Sequence, residues 1–323
     1  MPVVVDKKTA AAILSVASNS LLIILKVVAG LLIGSVAVLS EAIHSGVDLV
    51  AALIALFAVR ASGREADERH PFGHGKVENI SGTIEALLIF AAAAWIIYEA
   101  IRKLIDPQEI SMPFWGVGVM LVSALVNLFV SGHLFKVSKE TDSVALKADA
   151  WHLRTDVYTS TGVMVGLLVI WVVGMISPGV DLRWLDPVVA ILVALLILKA
   201  AWDLARESGR DLMDVSLPDE DVAWIKQFIH DGWPQVRSFH HLRTRKAGPN
   251  RFIEFHLVVD EHMSVGAAHT LNDDIVAAIK ERLAESRVNI HVEPCEFECE
   301  EACLGGCTVD SAERDARRSG KNI

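Results

Sequence analysis

Six long apolar runs constrain this sequence more than any other feature. A helix needs roughly 20 mostly apolar residues to cross the hydrocarbon of a bilayer, and each run meets that length. The runs lie at 9–33, 36–60, 80–104, 113–135, 145–175 and 185–206. A hydrophobic content of 52% and a mean hydropathy of +0.41 exclude an ordinary soluble protein. The sequence therefore predicts a membrane all-α bundle of six transmembrane helices.

The basic residues between these runs predict the orientation of the bundle. One side holds Lys7, Lys8, Arg60, Arg64, Arg69, Lys76, Lys136, Lys139, Lys147, Arg206 and Arg210. The other side holds only Arg102, Lys103 and Arg183. By the positive-inside rule, both termini are expected in the cytoplasm. The first run lacks a small-residue cleavage site, so we expect no cleavable signal peptide.

The pattern after the last apolar run is typical of a soluble fold. The periodicity predicts helices at 219–230 and 264–285, and strands at 236–246, 251–259 and 287–292. The first two strands flank Gly248-Pro249, which indicates a hairpin. We therefore predict a small cytoplasmic α+β domain of order αββαβ, and its size favours an apolar dimer contact.

These patterns divide the chain into three parts. We expect a transmembrane domain at 1–208, a cytoplasmic domain at 209–294 and a cysteine-containing, mobile tail at 295–323. The net charge of -10 excludes nucleic acid as a natural partner, since phosphates favour a basic surface. The tail holds all the cysteines, which fits a reducing compartment: Cys295, Cys299, Cys303 and Cys307.

Two His-x-x-x-Asp pairs inside the apolar runs are the strongest chemical signal. His44 and Asp48 lie in the second run, and His152 and Asp156 lie in the fifth. A spacing of four residues puts each pair on one face of its helix. Two imidazoles and two carboxylates form a tetrahedral set that suits Zn²⁺ and neutralises its charge. The alternative for either pair alone is a buried hydrogen bond between helices.

Other ionisable residues of the runs have weaker interpretations. Each pair has an acid three residues before its histidine, Glu41 and Asp149, on the outer and cytoplasmic sides respectively. These acids are candidate exit and uptake stations, or are simply solvated at span ends. Arg154 and Lys26 are expected to pair with an acid or to snorkel rather than to contact metal.

A polar loop between the second and third runs is a further candidate site. Asp67, His70 and His74 could meet at one ion, because Gly73 and Gly75 let the backbone curl. The alternative is a loop that is only polar.

The soluble part has an unusual density of histidines. His240, His256 and His291 fall on the predicted strands, with His241, His269 and Glu293 nearby. The alternative is a solvated sheet face. The tail repeats cysteine every fourth residue, which differs from a Cys-x-x-Cys zinc knuckle, although thiolates still favour zinc and softer ions.

Three longer motifs stand out in the chain: GSVAVLSEAIHSGVD at 34–48, HPFGHGK at 70–76 and LRTR at 242–245. Together they resemble the cation diffusion facilitator family, in particular its bacterial zinc-transporting branch, and the resemblance covers residues 9 to 294. It implies a homodimer in the bacterial inner membrane, with proton-coupled alternating access and a metallochaperone-like cytoplasmic domain.

The resemblance also implies three metal centres in this sequence. The transport site would be His44, Asp48, His152 and Asp156, and the loop site would be Asp67, His70 and His74. A binuclear cytoplasmic cluster would comprise His240, His256, His269, His291 and Glu293. Some relatives have aspartate where this chain has Glu293. Relatives with aspartate at the position of His44 include broader-range transporters, so His44 favours zinc.

Zinc/proton antiport is the function that these residues favour. The alternatives are a broad exporter that also carries cadmium, cobalt, iron or manganese, and a membrane metal sensor. A metalloenzyme is the least favoured class, since the sequence has no His-Glu-x-x-His motif and four ligands leave no open position.

Overall fold

The chain divides into two compact units, Met1–Leu212 and Met213–Ile323. The structure is a computed structural model that describes residues 6–33, 36–106, 114–176, 184–296 and 301–318. Within these ranges, some helical side chains of 30–47 and 114–186 also lie outside the description, His44 among them.

The described part of the first unit consists of long helices, as predicted. They are α1 Lys7–Ile33, α2 Val36–Ser62, α3 Lys76–Ile105, α4 Phe114–Thr141, α5 Val144–Ile176 and α6 Leu185–Leu212. Pro187 is tolerated because it lies in the first turn of α6, where its missing N–H has no helical acceptor. The predicted six-helix bundle is therefore confirmed, although α6 continues one turn beyond residue 208.

Four stretches of the described residues are long and apolar enough to cross a membrane. They are Lys7–Ala29, Lys76–Ile105, Leu121–Thr141 and Pro187–Leu212. Large apolar side chains of the bundle also face outward, where lipid would solvate them: Leu21, Ile24, Leu32, Phe57, Trp95, Phe129 and Leu196.

Small residues allow the helices of the first unit to approach closely. Helix α3 packs on α6, α1 on α2 and α4 on α5, and α2 also contacts α5. A Cβ added to Gly82 of α3 would stand 2.5 Å from Ser208 Oγ of α6 and 3.0 Å from Val144 Cγ1 of α5, so a larger residue would require these side chains to move. Buried alanines of α1, α2 and α5 pack in one apolar cluster: Ala11, Ala12, Ala58, Ala145 and Ala150. This close packing fixes the distance between the site-bearing helices α2 and α5.

A buried carboxylate, Glu78, joins the ends of several helices of the bundle. Its side chain is fully buried at the start of α3. Ser62 Oγ of α2 donates to Glu78 Oε1 at 2.7 Å, and Ser143 Oγ before α5 donates to Oε2 at 2.5 Å. Lys8 Nζ of α1 lies 3.5 Å from Oε1. Partners from three other segments therefore satisfy the buried carboxylate of Glu78 in place of water.

The second unit has the predicted αββαβ order. Its elements are α7 Asp219–Gly232, β1 Val236–Ala247, β2 Asn250–Val259, α8 Val265–Arg282 and β3 Ser286–Pro294. The sheet order is β1-β2-β3, with β1 antiparallel and β3 parallel to β2. Gly248 has a φ of 56° in the two-residue turn between β1 and β2, which confirms the predicted hairpin.

One face of this sheet is covered and the other is open. Alternate residues of β2, Ile253, Phe255 and Leu257, pack with Ile225 and Ile229 of α7 in a single apolar core. Ile275 and Ile279 of α8 join the same core. The remaining residues of β2 therefore point to the open face, where His256 lies.

The tail is docked on the second unit, contrary to the expectation that it is mobile. It contains two short helices, α9 Glu301–Leu304 and α10 Ser311–Arg318. Ser238 Oγ of β1 donates to the carbonyl of Cys303 at 2.7 Å, and Thr308 Oγ1 donates to the carbonyl of Val236 at 2.6 Å. A Cβ on Gly306 would stand 2.1 Å from the Phe239 carbonyl oxygen, so glycine permits this contact. These are polar contacts, which apolar periodicity does not reveal.

Candidate metal centres

The first candidate centre lies between α2 and α5. His152 Nε2 is 3.2 Å from Asp48 Oδ1, and ligand atoms of Asp48, His152 and Asp156 all lie within 4.8 Å of one another. Ligands of one tetrahedral zinc lie about 3.3 Å apart, because each zinc–ligand bond is about 2.0 Å. The group therefore fits zinc after only small side-chain rotations. Asp48 and His152 are buried, so this group is screened from solvent.

Helical spacing produces this arrangement. His152 and Asp156 are four residues apart on one face of α5, and Asp48 meets them from α2. The fourth predicted ligand, His44, is in α2 one turn before Asp48. Its side chain, like that of Glu41, lies outside the described part of the structure, so its role stays a prediction.

Two further acids are fully buried near this group. Asp149 lies in α5, one turn before His152, and Glu85 lies in α3. Glu85 interacts electrostatically with both Asp149 and His152. The Ser15 hydroxyl of α1 interacts with the buried carboxylate of Asp149. The candidate uptake acid Asp149 is thus buried rather than solvated at a span end.

The spacing rule for histidine and aspartate does not find Glu85, because Glu85 has no ligand-type residue four positions away. A different signal marks it. Glu85 is the only charged residue of the apolar stretch 79–98, and an isolated charge at membrane depth is usually functional.

The described contacts of the two basic residues near the centre are with a hydroxyl group and an aromatic ring. Lys26 Nζ donates to Ser45 Oγ of α2 at 2.7 Å. The Arg154 guanidinium lies 5.6 Å from the centre of the Phe135 ring of α4. For Arg154, an aromatic face therefore takes the place of the expected acid.

The second candidate centre is the loop before α3. Asp67, His70 and His74 form a group whose ligand atoms lie within 4.8 Å of one another. Asp67 Oδ1 is 3.2 Å from His70 Nδ1, and its Oδ2 is 3.4 Å from His74 Nε2. Gly73, with a φ of 84°, makes the turn that brings His74 back toward Asp67. The three predicted residues therefore do meet.

The backbone prepares Asp67 for a cation. The backbone N–H groups of His70 and Arg69 donate to Asp67 Oδ1 at 2.6 and 2.9 Å. These hydrogen bonds, the first from His70, lower the pKa of Asp67 below its ordinary value. The carboxylate is therefore ionised over the whole physiological pH range. Its exposure to solvent limits the strength of its attraction for the histidines.

The third candidate centre is on the open face of the sheet. Ligand atoms of His240, His256 and Glu293 lie within 4.8 Å of one another. Glu293 Oε2 is 3.2 Å from His240 Nε2, and Oε1 is 2.7 Å from His256 Nδ1 and 3.5 Å from His291 Nε2. The two oxygens of one carboxylate thus face different histidines, a geometry that suits two neighbouring ions.

Strand register explains why these residues meet. His256 pairs with His240 on one side and with His291 on the other. The fifth predicted ligand, His269, lies apart from them in α8, where its Nε2 is 3.5 Å from Asp273 Oδ2. Within one chain, therefore, the structure does not bring His269 into the cluster.

The tail cysteines do not join these three groups. Cys295, Cys303 and Cys307 are not joined in a disulfide, and the groups of metal-ligating atoms found among the described residues contain no cysteine. Cys299 lies outside the described residues. Whether the tail thiols capture metal or are redundant surface thiols stays open, as the sequence left it.

Together, the helical bundle, the buried ligand group and the α+β domain define a multi-pass membrane transporter of cations with a cytoplasmic domain. Residues 12–213 match the cation efflux transmembrane domain, and residues 217–295 match the cytoplasmic domain of cation efflux proteins. The chain belongs to the cation diffusion facilitator family, and it is a transporter rather than an enzyme.

Relatives of similar length support this assignment. The chain is 38% identical to an uncharacterized transporter of Synechocystis sp., over 88% of this chain and 90% of that protein. It is 33% identical to the cation-efflux pump FieF of Yersinia pestis, over 88% and 92% respectively. The metal-bound C-terminal domain of the CzcD transporter from Thermotoga maritima is 30% identical, with a TM-score of 0.23. That match covers 25% of this chain and 96% of the CzcD domain.

Proposed function

We propose that this chain exports zinc from the cytoplasm in exchange for protons, by alternating access of a mid-membrane site. The observation that carries the proposal is the buried group of Asp48, His152 and Asp156 between α2 and α5. Two carboxylates and an imidazole at membrane depth are costly unless they bind something. With His44 as the fourth ligand, the set balances the charge of Zn²⁺ and matches its tetrahedral preference.

The same groups provide the coupling to protons. Carboxylate and imidazole ligands bind metal only when deprotonated, so protons and zinc compete for one site. A site that faces the more acidic side therefore releases its metal and takes up protons. When the transport site faces the cytoplasm again, it loses those protons and binds zinc.

The other two centres have supporting roles in this proposal. We assign the loop group of Asp67, His70 and His74 to a site that binds zinc at the membrane surface. We assign His240, His256, His269, His291 and Glu293 to resident zinc in the cytoplasmic domain. Because His269 lies apart within one chain, a second copy could supply it, in keeping with a homodimer.

The proposed placement is the bacterial inner membrane, with both termini in the cytoplasm. The orientation rests on the distribution of lysine and arginine between the loops, and the bacterial inner membrane rests on the similarity to bacterial cation-efflux pumps. The proposed division of the chain is a transmembrane domain at 1–208, a cytoplasmic metal-binding domain at 209–294 and a tail at 295–323. Helix α6 extends the first of these by one turn.

A broad-range exporter is the second candidate, because two of the three described ligands are carboxylates. Carboxylate oxygen suits Mn²⁺ and Fe²⁺ as well as zinc. The test that separates the two is flux into sealed vesicles containing the purified protein, with zinc, cadmium, cobalt, iron and manganese compared under an imposed pH gradient.

The proposal expects zinc to move fastest and its flux to fall when an ionophore collapses the pH gradient. Faster iron or manganese flux would favour the broad exporter. Zinc flux that is indifferent to the pH gradient would remove proton antiport. Metal binding without flux of any ion would favour the sensor instead.

A further inference from the structure

Strand β1 contains an irregularity at its histidine pair. His240 is paired with His256 of β2, and the next paired residue, Arg243, lies opposite Glu254. Between these two pairs, β1 has two residues, His241 and Leu242, where β2 has only Phe255. An extra residue on one strand is a β-bulge, and bulges re-aim side chains beside functional sites.

The bulge changes the direction of His241. In a regular strand His241 would point away from His240, toward the helices. Instead Leu242 packs against the apolar core, and His241 has a φ of 53° in the left-handed region. That conformation is uncommon for residues other than glycine, although histidine, asparagine and aspartate adopt it more readily than most. Both histidines consequently lie on the open face of the sheet.

On that face, His241 is next to the cytoplasmic centre. Its ring centre is 4.7 Å from that of His240 and 5.1 Å from that of His256. His241, His256 and His291 line one groove of about 300 Å³ on the open face. The rings of His256 and His291 are 5.0 Å apart. The three strands therefore present a row of imidazoles along the groove.

We propose that His241 is an additional ligand of the cytoplasmic metal centre, brought to it by the bulge. The inference rests on the proposed role of this centre as a zinc site. His241 adds a neutral imidazole to a centre whose one described carboxylate is that of Glu293. A ligand set with an additional nitrogen and no additional charge favours borderline ions such as Zn²⁺ over hard ions such as Mn²⁺.

The test uses the full-length protein with its other candidate sites removed. The parent variant carries Asp156→Ala and Asp67→Ala, with Cys295, Cys299, Cys303 and Cys307 changed to serine. On this background, His241→Asn keeps a residue that tolerates the left-handed backbone but lacks an imidazole. His262→Asn is the matched control. His262 is an exposed histidine of the turn after β2, and its Nε2 lies 3.7 Å from Glu261 Oε1.

Zinc is titrated into each variant against a competing chelator, and X-ray absorption counts the imidazoles per bound zinc. We expect His241→Asn to weaken the affinity for zinc at this centre by at least about 10-fold and to lower the number of imidazoles per bound zinc. His262→Asn should change neither quantity. If His241 only forms the bulge, His241→Asn and His241→Gly will bind zinc as the parent does, which would overturn the proposal. A parent that binds no zinc would overturn it too.

Zinc flux of the wild-type protein in vesicles is measured separately. Absent flux would refute zinc export while the titration still decides the ligand role of His241. Normal flux with an unchanged titration would refute only that ligand role.

Discussion

The transmembrane and cytoplasmic centres use the same side chains in opposite surroundings. In the bundle, His152 and Asp48 have side chains only 8% and 6% exposed. In the soluble unit, His291 is 67% exposed and Glu293 30%. Bulk water can replace a departing ion at the second centre but not at the first. The buried centre therefore needs protons or a conformational change to release metal, whereas the open centre can exchange metal directly with the cytoplasm.

Charge separates the two centres as well. The described transmembrane ligands comprise two carboxylates and one imidazole, whereas the cytoplasmic group has two imidazoles and one carboxylate. Carboxylates supply the negative charge that a divalent ion needs where the dielectric constant is low. Imidazoles suffice where solvent screens the ion. Substitutions at the two centres should accordingly differ in kind and in size.

The largest expected effect is on the buried centre. Asp156→Ala leaves a metal-bound site with an uncompensated positive charge at membrane depth, so zinc flux should fall at least about 100-fold while insertion is kept. Flux into vesicles measures this. Asp203→Ala, an exposed aspartate of α6, is the control and should transport normally. Near wild-type flux in Asp156→Ala would disprove the assigned transport site.

The next effect concerns stability of the bundle. Glu78→Ala removes the acceptor of Ser62, Ser143 and Lys8 in a buried place, and we expect a loss of about 3 kcal/mol. Thermal unfolding in detergent measures it. Glu140→Ala removes a carboxylate from an exposed pair with Lys7 and should cost less than about 1 kcal/mol. Equal losses of unfolding free energy in both variants would show that burial does not determine how much each carboxylate stabilises the bundle.

A third effect is confined to the cytoplasmic centre. The double change of His240 and His256 to alanine removes two of the three described ligands. We expect zinc bound at this centre to be lost and the unfolding temperature of the cytoplasmic unit to fall, while part of the zinc flux remains. Metal analysis of the full chain with its cysteines replaced checks this. Unchanged metal content would make these histidines ordinary residues of a solvated sheet face.

A smaller effect is expected for selectivity. His44→Asp replaces an imidazole with a harder ligand and adds negative charge, so preference for zinc over manganese should fall by about 10-fold. A carboxylate ordinarily binds protons more weakly than an imidazole does, so the pH dependence of zinc binding should move toward acid. Competition uptake at several pH values measures both. Wild-type selectivity and pH profile would show that His44 does not bind the metal.

The smallest effect concerns the loop before α3. Because the pKa of Asp67 is lowered in the folded loop, its contribution to loop stability is complete above the ordinary aspartate pKa and is lost as pH falls through the lowered value. Asp67→Asn should therefore weaken the loop at pH 7, and the difference from the wild-type protein should shrink steadily as pH falls below the ordinary aspartate pKa. Hydrogen exchange of the loop amides at several pH values compares the two proteins. A difference that does not change with pH over this range would point to a cause other than ionisation.

Sequence patterns predict the regular parts of this molecule well. Helices of the bundle and the αββαβ order follow from apolar periodicity, and the helical spacing of His152 and Asp156 predicts one face of the buried centre. Periodicity does not reveal Glu78 or Glu85, because each interacts with groups distant in sequence: Glu78 accepts a hydrogen bond from Ser143, and Glu85 interacts electrostatically with Asp149 and His152. It does not reveal the bulge at His241 either, since one extra residue in a strand depends on how its neighbours pair.

Docking of the tail on β1 has a consequence for solubility. An unpaired sheet edge can recruit strands from other molecules and so promote aggregation. Cys303 and Thr308 of the tail bond with Ser238, Val236 and Arg237 along this edge, and Gly306 lies against the Phe239 backbone. The cysteine-bearing segment therefore shields one side of the sheet from the edges of other molecules crowded at the same membrane surface.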